Sequence, residues 1–393
     1  MARIAIVVVP LFGHISTTLS VGQVLINRGH EVTWVTLNPM NGLQLPKKGK
    51  IQYTNDNDAR IDELIKNLKN GRKKTSLDGV KYVIEDILIP LNERMYKGLV
   101  KFVDLFKPDL ILHDEQTYTG AIVAYKLQIS YVTNYSVPSG IFESIEDGPL
   151  KEWYFSLMRQ LQLKLGVKDD NIITHSRRLG LVFCPKSFNE LNDLLPHQQF
   201  VGPCIDIKRN YSSSFDASKL DKGRKVLFVS IGTLLLGEAQ NFFQLIVNDF
   251  QDEKYSVIVS AKPDLLNKWP NNFIVQENLP QLEVLDFVNA VITHGGANTV
   301  CESIGKGKPL VVVPMAYDQF HLATQIEKSQ VGARLKYKRL KPFDLRKACD
   351  TILNERNNYI SNVEDLSKKF INGGGATSAV NYIENLILDK GNL

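Results

Sequence analysis

The chain has 393 residues, 47 basic against 42 acidic, for a formal charge of +5, with 44% apolar and 23% charged residues. That length suits two domains of roughly 180 to 200 residues, each able to bury its own core, and the composition is that of an ordinary globular chain. So small a basic excess gives no reason to expect nucleic acid as a partner, and no stretch approaches the ~20 apolar residues that cross a bilayer, so no stable membrane insertion is expected. Cys184, Cys204, Cys301 and Cys349 form no C-x-x-C pair. This argues against a zinc or redox site and reads as the reduced thiols of a cytoplasmic protein. The apolar run near the N-terminus is short for a signal peptide and ends in Pro10 and Gly13 rather than a cleavage site.

Residues 4–9 are dominated by β-branched side chains, the pattern of a strand buried on both faces of a parallel sheet. A turn over 10–14 leads into a helix over 15–27. Ile15, Leu19, Gly22 and Leu25 share one face of it, with Gly22 permitting close approach to the sheet, and Gly29 suits the C-terminal cap. A second strand over 31–37 completes a βαβ start, so the fold class is α/β, doubly wound. Residues 39–74 are polar and basic and read as a variable loop with a short helix near 61–68. Asp56-Asn57-Asp58 spells the D-x-D of metal-dependent sugar transferases, where two carboxylates follow a strand and bridge a divalent ion to the phosphates, but here the triplet reads as part of a polar, loop-like tract, and a short match needs its context. A helix over 83–106, a strand over 109–112 and a helix over 118–127 follow.

Residues 206–224 contain three consecutive serines and five basic residues, lack a periodic apolar face, and read as an interdomain linker. The cycle then restarts with a strand over 226–230, the turn Ile231-Gly232-Thr233, a helix near 242–250 and a strand over 256–260. The expected division is 1–205, the linker 206–224, 225–375, and 376–393 as a terminal helix packing back on the N-terminal domain.

The most informative run is 291–302, VITHGGANTVCE. A strand ends, Gly295 and Gly296 turn the chain, and a helix begins. Backbone N–H groups at such a start are unpaired and carry partial positive charge, and glycines let phosphate oxygens approach them. His294 can add a donor, and Glu302, one turn in, can accept from ribose hydroxyls. A blander reading stays open, because Thr299-x-x-Glu302 has the spacing of a capping box and a glycine pair is ordinary turn punctuation.

His14 stands just beyond the first strand, where ligands collect in such folds. An imidazole, with its pKa near 6.5, suits the removal of a proton from an attacking hydroxyl. Asp114, just past the strand over 109–112, is the candidate to orient that ring and stabilise its protonated form. Glu115 is the fallback partner. His113 points to the other side if the strand persists, and reads as packing.

From 280 to 319 the chain carries P-Q-x-x-x-L, T-H-G-G-x-N-T-x-x-E, G-x-P and P-x-x-x-D-Q in that order. This series resembles the donor signature of the UDP-glycosyltransferase superfamily (family 1), inverting enzymes of the GT-B fold with two Rossmann-like doubly wound domains facing across a cleft. The likeness extends to Gly13-His14, to Pro185-Lys186-Ser187-Phe188 and to Gly202-Pro203. It is strongest toward bacterial macrolide-type glycosyltransferases, with a secondary likeness to zeaxanthin glucosyltransferases.

The resemblance implies an N-terminal acceptor-binding domain and a C-terminal nucleotide-sugar-binding domain. It implies transfer of a hexose, glucose first, from a UDP-sugar co-substrate to a hydroxyl of a small lipophilic natural product such as a macrolide, polyphenol or carotenoid. The transfer would invert the anomeric carbon and use no metal and no further cofactor. At matched positions His14 is the base and Asp114 its support. Leu279 and Gln281 hold the uridine; His294, Gly296, Asn298 and Thr299 hold the diphosphate, with Thr233 and Gly13 beside the donor. Glu302 holds the ribose, and Asp318 and Gln319 the sugar hydroxyls. Phe12, Tyr118, Val137, Phe142, Trp153 and Tyr154 are the candidates for the acceptor pocket, though such residues equally suit a core. One departure is Asn278, where plant members carry the tryptophan that stacks on the base. Two rivals remain: an isomerase of the same architecture acting on the nucleotide sugar itself, and a non-catalytic nucleotide-sugar-binding accessory protein.

Overall fold

The computed structural model describes the chain except residues 40–42, 55–60, 62, 65–66, 68–76, 137–146, 189–194, 206–213, 233–238, 253, 317–318 and 390–393. It forms two compact units, Met1–Cys204 with Gly373–Leu393, and Ile205–Asn372.

The first unit is built on a sheet of β1 (Arg3–Val7), β2 (Glu31–Thr36), β3 (Lys50–Tyr53), β4 (Leu110–Asp114), β5 (Ser130–Tyr135), β6 (Gly180–Val182) and β7 (Gln198–Phe200). The order is β3-β2-β1-β4-β5-β6-β7 and every pairing is parallel. The helices are α1 (Phe12–Asn27), α2 (Leu77–Tyr82), α3 (Ile89–Phe106), α4 (Tyr118–Lys126), α5 (Pro149–Lys164) and, from the far end of the chain, α12 (Gly375–Leu388). Side chains alternate across a strand, so the first apolar run feeds two cores. Ile4, Ile6 and Val8 pack with Ile15, Val21 and Leu25 of α1 and with Val380 and Ile383 of α12. Ala5 and Val7 face the other way, toward Leu91, Met95 and Leu99 of α3. Gly22 faces Trp34 of β2: a Cβ there would lie 2.2 Å from the indole. The indole N–H donates to Thr18 Oγ1 at 3.0 Å, so the tryptophan is locked under α1 and only glycine fits above it.

The second unit repeats the plan with β8 (Lys225–Ser230), β9 (Tyr255–Ser260), β10 (Phe273–Gln276), β11 (Ala290–Thr293), β12 (Leu310–Val312) and β13 (Gly332–Arg334). Its order is β10-β9-β8-β11-β12-β13, again all parallel. Its helices are α6 (Ala239–Phe250), α7 (Gln281–Phe287), α8 (Ala297–Gly305), α9 (Gln319–Lys328), α10 (Asp344–Ile352) and α11 (Tyr359–Asn372). Leu227 and Val229 enter one core with Phe242, Phe243 and Phe250, while Val226 and Phe228 enter another with Leu282 and Leu285 of α7.

Several bounds differ from the sequence reading. The helix over 83–106 is preceded by α2 and opens with a π-helical stretch, Val83–Leu88. Within the polar segment 39–74 lies β3, which among the described residues pairs with β2 alone, as an edge strand, and carries alternating exposed residues. Half of the residues of the helix expected near 61–68 and all of Asp56-Asn57-Asp58 lie outside the described residues. The expected linker lies outside them up to 213. From Ser214 onward it belongs to the second unit, with Phe215 buried against Phe228, Leu279 and Leu282.

Strand order reverses between β1 and β4 in one sheet and between β8 and β11 in the other. At such switch points the chain leaves the two strands in opposite directions and opens a crevice at their carboxyl ends. His14 and Asp114 lie there in the first unit, and His294 and Gly296 in the second. Among the described residues no helix is long and apolar enough to cross a membrane.

Candidate active site

At the first switch point α1 begins at Phe12, three residues before the helix read from sequence, so His14 sits in its first turn. β4 likewise runs on to Asp114, which is its last residue rather than a loop residue beyond it. The His14 ring meets the Asp114 carboxylate directly, Nδ1 lying 2.9 Å from Oδ2 and 3.0 Å from Oδ1. Both side chains are buried. Asp114 also accepts from the Gln116 backbone N–H at 3.0 Å. Burial works against its charge, but His14, through both its charge and its hydrogen bond, and then the Gln116 amide outweigh it, so the carboxyl is held below the usual carboxylate range. A carboxylate at Nδ1 fixes the proton there and places the ring's lone pair on Nε2, the nitrogen suited to a base.

Glu115, the fallback partner, is 3.8 Å from Nδ1 and is not in direct contact with it. His113 is buried on the other side of the sheet, its Nδ1 donating to the Asp114 carbonyl and its Nε2 2.9 Å from Thr133 Oγ1. Burial, then His175, push it down to about 3, so it stays neutral.

Three residues that the sequence reading passed over brace this pair. Thr117 Oγ1 donates to the Val7 carbonyl, tying the loop after β4 to the end of β1. Asn92 of α3 donates to the Gln116 carbonyl and accepts from Thr119 N. Ser136 stands one residue past β5, its Oγ 3.0 Å from His14 Nδ1 and 3.2 Å from Asp114 Oδ2. The rule that singled out His14 and Asp114 applies to Ser136 as well, since it lies at the carboxyl end of the next strand.

His14, Asp114 and Glu115 are also the described cluster with ligand atoms close enough for a metal, all within 4.8 Å of one another. Their chemistry is that of a hydrogen-bonded set. Nδ1 is already in hydrogen-bond contact with a carboxylate, and burial, then the Asp114 charge, push Glu115 up to about 8, so it carries a proton at neutral pH.

At the second switch point, β11 ends at Thr293 and α8 starts at Ala297 with Gly296 as its N-cap. A glycine cap has no side-chain oxygen with which to accept from the first-turn N–H groups. The His294 ring is wedged between two glycine backbones: a Cβ at Gly232, whose φ is +67°, or at Gly296 would lie 2.8 or 2.7 Å from it. Any other residue at either place displaces the ring.

The capping-box reading of Thr299 and Glu302 does not hold, because the cap is Gly296 and Thr299 already lies inside the helix. Glu302 instead accepts from Gln281 Nε2 at 2.6 Å, and Gln281 Oε1 lies 3.5 Å from Thr299 Oγ1. Gln281, Thr299 and Glu302 thus form one polar group across the starts of α7 and α8. The Leu279 side chain packs in the core, so only its backbone is on offer. Gln319 spends its side-chain oxygen on the Met315 and Ala316 N–H groups, each at 2.9 Å, bracing the loop after β12. Asn298 lies in the first turn of α8; Thr233 and Asp318 lie outside the described residues.

Of the acceptor candidates, Val137 and Phe142 lie outside the described residues, and Phe12 is the first residue of α1. A Cβ at Gly13 would have open space around it. Tyr118 and Tyr154 are corrected to core residues. Each is buried with Ile122 and Met158, and the two rings stand edge-on 6.5 Å apart beside His175. Trp153, one residue along α5, turns outward and donates to Glu85 at 2.6 Å.

A family model described as UDP-glucoronosyl and UDP-glucosyl transferase matches residues 185–374. The NDP-glycosyltransferase YjiC of Bacillus licheniformis is 28% identical over 409 residues, covering 99% of this chain and 98% of that one. The demethyllactenocin mycarosyltransferase of Streptomyces fradiae is 24% identical, covering 84% of this chain and 75% of its own. Among solved structures, the calicheamicin glycosyltransferase CalG4 matches with a TM-score of 0.79 at 21% identity over the whole of both chains. The glycosyltransferase VinC in complex with dTDP matches at 0.73 and 18%, over 98% of this chain and all of its own.

Proposed function

Since the chain is a UDP-dependent glycosyltransferase of family 1 with the GT-B fold, we propose that it transfers a hexose, glucose first, from UDP to a hydroxyl of a small lipophilic acceptor, with inversion and without a metal. The observation that carries this reading is the direct contact of His14 Nδ1 with the Asp114 carboxylate at 2.9 Å. A protein that only bound nucleotide sugars would have no use for an oriented, buried imidazole at the carboxyl edge of its other sheet.

In this reading the diphosphate rests on the first-turn N–H groups of α8 beside His294, Gly296, Asn298 and Thr299. Glu302, held by Gln281, takes the ribose; Leu279 and Gln281 take the base; Thr233, Asp318 and Gln319 complete the donor contacts. Nε2 of His14 removes the acceptor's hydroxyl proton as the oxygen attacks the anomeric carbon. The bond from that carbon to the diphosphate breaks, and its electron pair leaves with UDP. Nδ1 keeps its own proton, and Asp114 stabilises the imidazolium. The acceptor lies on the first unit, near the start of α1 and Trp153. The names of the relatives, which include glycosyltransferases of demethyllactenocin and calicheamicin, support a lipophilic natural product. The VinC complex supports a second reading of the donor, a dTDP-sugar. A cytoplasmic enzyme fits four cysteines that remain thiols.

The test is donor consumption in EDTA, with and without a phenol or alcohol acceptor, against UDP-glucose and a dTDP-hexose. UDP release that requires the acceptor and withstands EDTA is the expected result. Conversion of the donor without acceptor points to the isomerase, no conversion with any acceptor to the binder, and loss of activity in EDTA to a metal.

A further inference from the structure

We propose that Glu115 is a positioning residue for the transfer: through the Ser136 hydroxyl, its carboxyl sets how strongly the His14–Asp114 pair holds the acceptor's proton. The inference rests on the reading of His14 as the base. Glu115 is buried directly beyond β4. The Ser136 backbone N–H donates to Glu115 Oε2 at 3.0 Å, and Ser136 Oγ lies 3.0 and 3.1 Å from the two Glu115 oxygens. The same Oγ is 3.2 Å from Asp114 Oδ2 and 3.0 Å from His14 Nδ1. One hydroxyl, with one hydrogen, therefore stands among two carboxyls and an imidazole.

Two buried carboxyls so close together do not both ionise at neutral pH. Asp114 takes the charge, and Glu115, pushed up to about 8 by burial and then by Asp114, keeps its proton. A protonated Glu115 can give its hydrogen to Ser136 Oγ, whose own hydrogen then goes to Asp114. That bond draws on the carboxylate that supports the imidazolium. When Glu115 ionises, the Ser136 hydrogen turns to it. Asp114 is then left to Nδ1–H and Gln116, and a second negative charge stands 3.8 Å from the ring. Both changes raise the proton affinity of Nε2, while the Glu115 proton goes to solvent.

Among the described residues, the titratable groups around this carboxyl are His14 from α1, Asp114 on its own strand and Tyr118 from α4, whose phenol is lifted above its ordinary range, by burial first. His113 faces the other side of the sheet beside His175 and is neutral. Neither Tyr118 nor His113 changes charge in the mildly alkaline range, so a step there reports Glu115.

The test compares the full chain with E115Q, whose carboxamide keeps the size and can hydrogen-bond Ser136 but cannot ionise. Wild-type kcat should rise through the imidazole's titration and rise again near the ionisation of Glu115. In E115Q the second rise should be missing, so the gap between the two enzymes widens on the alkaline side by about three- to tenfold, as expected from a change of about one unit in proton affinity. A role in folding alone would lower kcat at every pH without changing the shape of the curve. In the wild type itself, the His14 ring resonance, assigned by its loss in H14A, should show a second inflection at the same pH, so the question is decided even if E115Q does not fold. Superimposable curves for the two enzymes, or a single inflection at His14 in the wild type, would overturn the proposal. Full transfer by H14A would remove the base assignment instead, whereas an inactive H14A alongside a wild-type curve for E115Q removes only this inference.

Discussion

Replacing His14 with alanine should lower kcat by about 10²- to 10⁴-fold, the usual contribution of a positioned general base, and leave UDP affinity by calorimetry unchanged. The acceptor hydroxyl is almost wholly protonated at neutral pH, so its attack depends on a group that takes the proton as the bond forms. The imidazole proposed for that task is held by Asp114 at Nδ1. The groups proposed to hold the donor, by contrast, belong to α7 and α8 of the other unit, so donor binding is expected to survive loss of the ring. The loss should be smaller for a phenol, whose pKa near ~10 makes its proton easier to give up, than for an aliphatic alcohol. Wild-type kcat on an aliphatic acceptor would contradict the assignment.

Asp114→Asn should cost kcat nearly as much, about 10²- to 10⁴-fold, by the reasoning that applies to the aspartate of hydrolytic triads. The carboxamide fills the same space and can still meet Gln116 N–H and Nδ1. It carries no charge to stabilise the imidazolium, however, and an NH2 turned toward Nδ1 moves the ring proton to Nε2, the wrong nitrogen. Because the wild-type carboxyl is already ionised well below neutral pH, the deficit should persist across the neutral and alkaline range and should not be rescued by raising the pH. A pH–rate profile of the variant with near-wild-type kcat at any point on it would count against the pairing.

The doubly wound plan was legible because parallel strands covered on both faces read as apolar runs, as residues 4–9 and 226–230 do. The edge strand β3 was hidden for the opposite reason: with a partner on one side only, Lys50 and Gln52 face water and the segment reads as loop. His14 and Asp114 were found by one rule, their place at the carboxyl ends of neighbouring strands. Ser136 obeys the same rule but was passed over because a serine outside a motif carries little signal. The tie between Gln281 and Glu302 joins the first residue of α7 to the second turn of α8, 21 residues along the chain, and no local pattern encodes it. Tyr118 and Tyr154 were misplaced because an aromatic residue on an amphipathic helix suits a pocket wall or a core equally well. Only the packing of both rings around His175 decides between them.

The most direct test of the central claim, one displacement assisted by the His14 imidazole, is the anomeric configuration of the product read by proton NMR. Glucose is α-linked in UDP-glucose, so the account predicts a β-glucoside. An α-glucoside formed by the wild-type enzyme would contradict it, since retention requires two displacements or attack from the same face as the departing diphosphate.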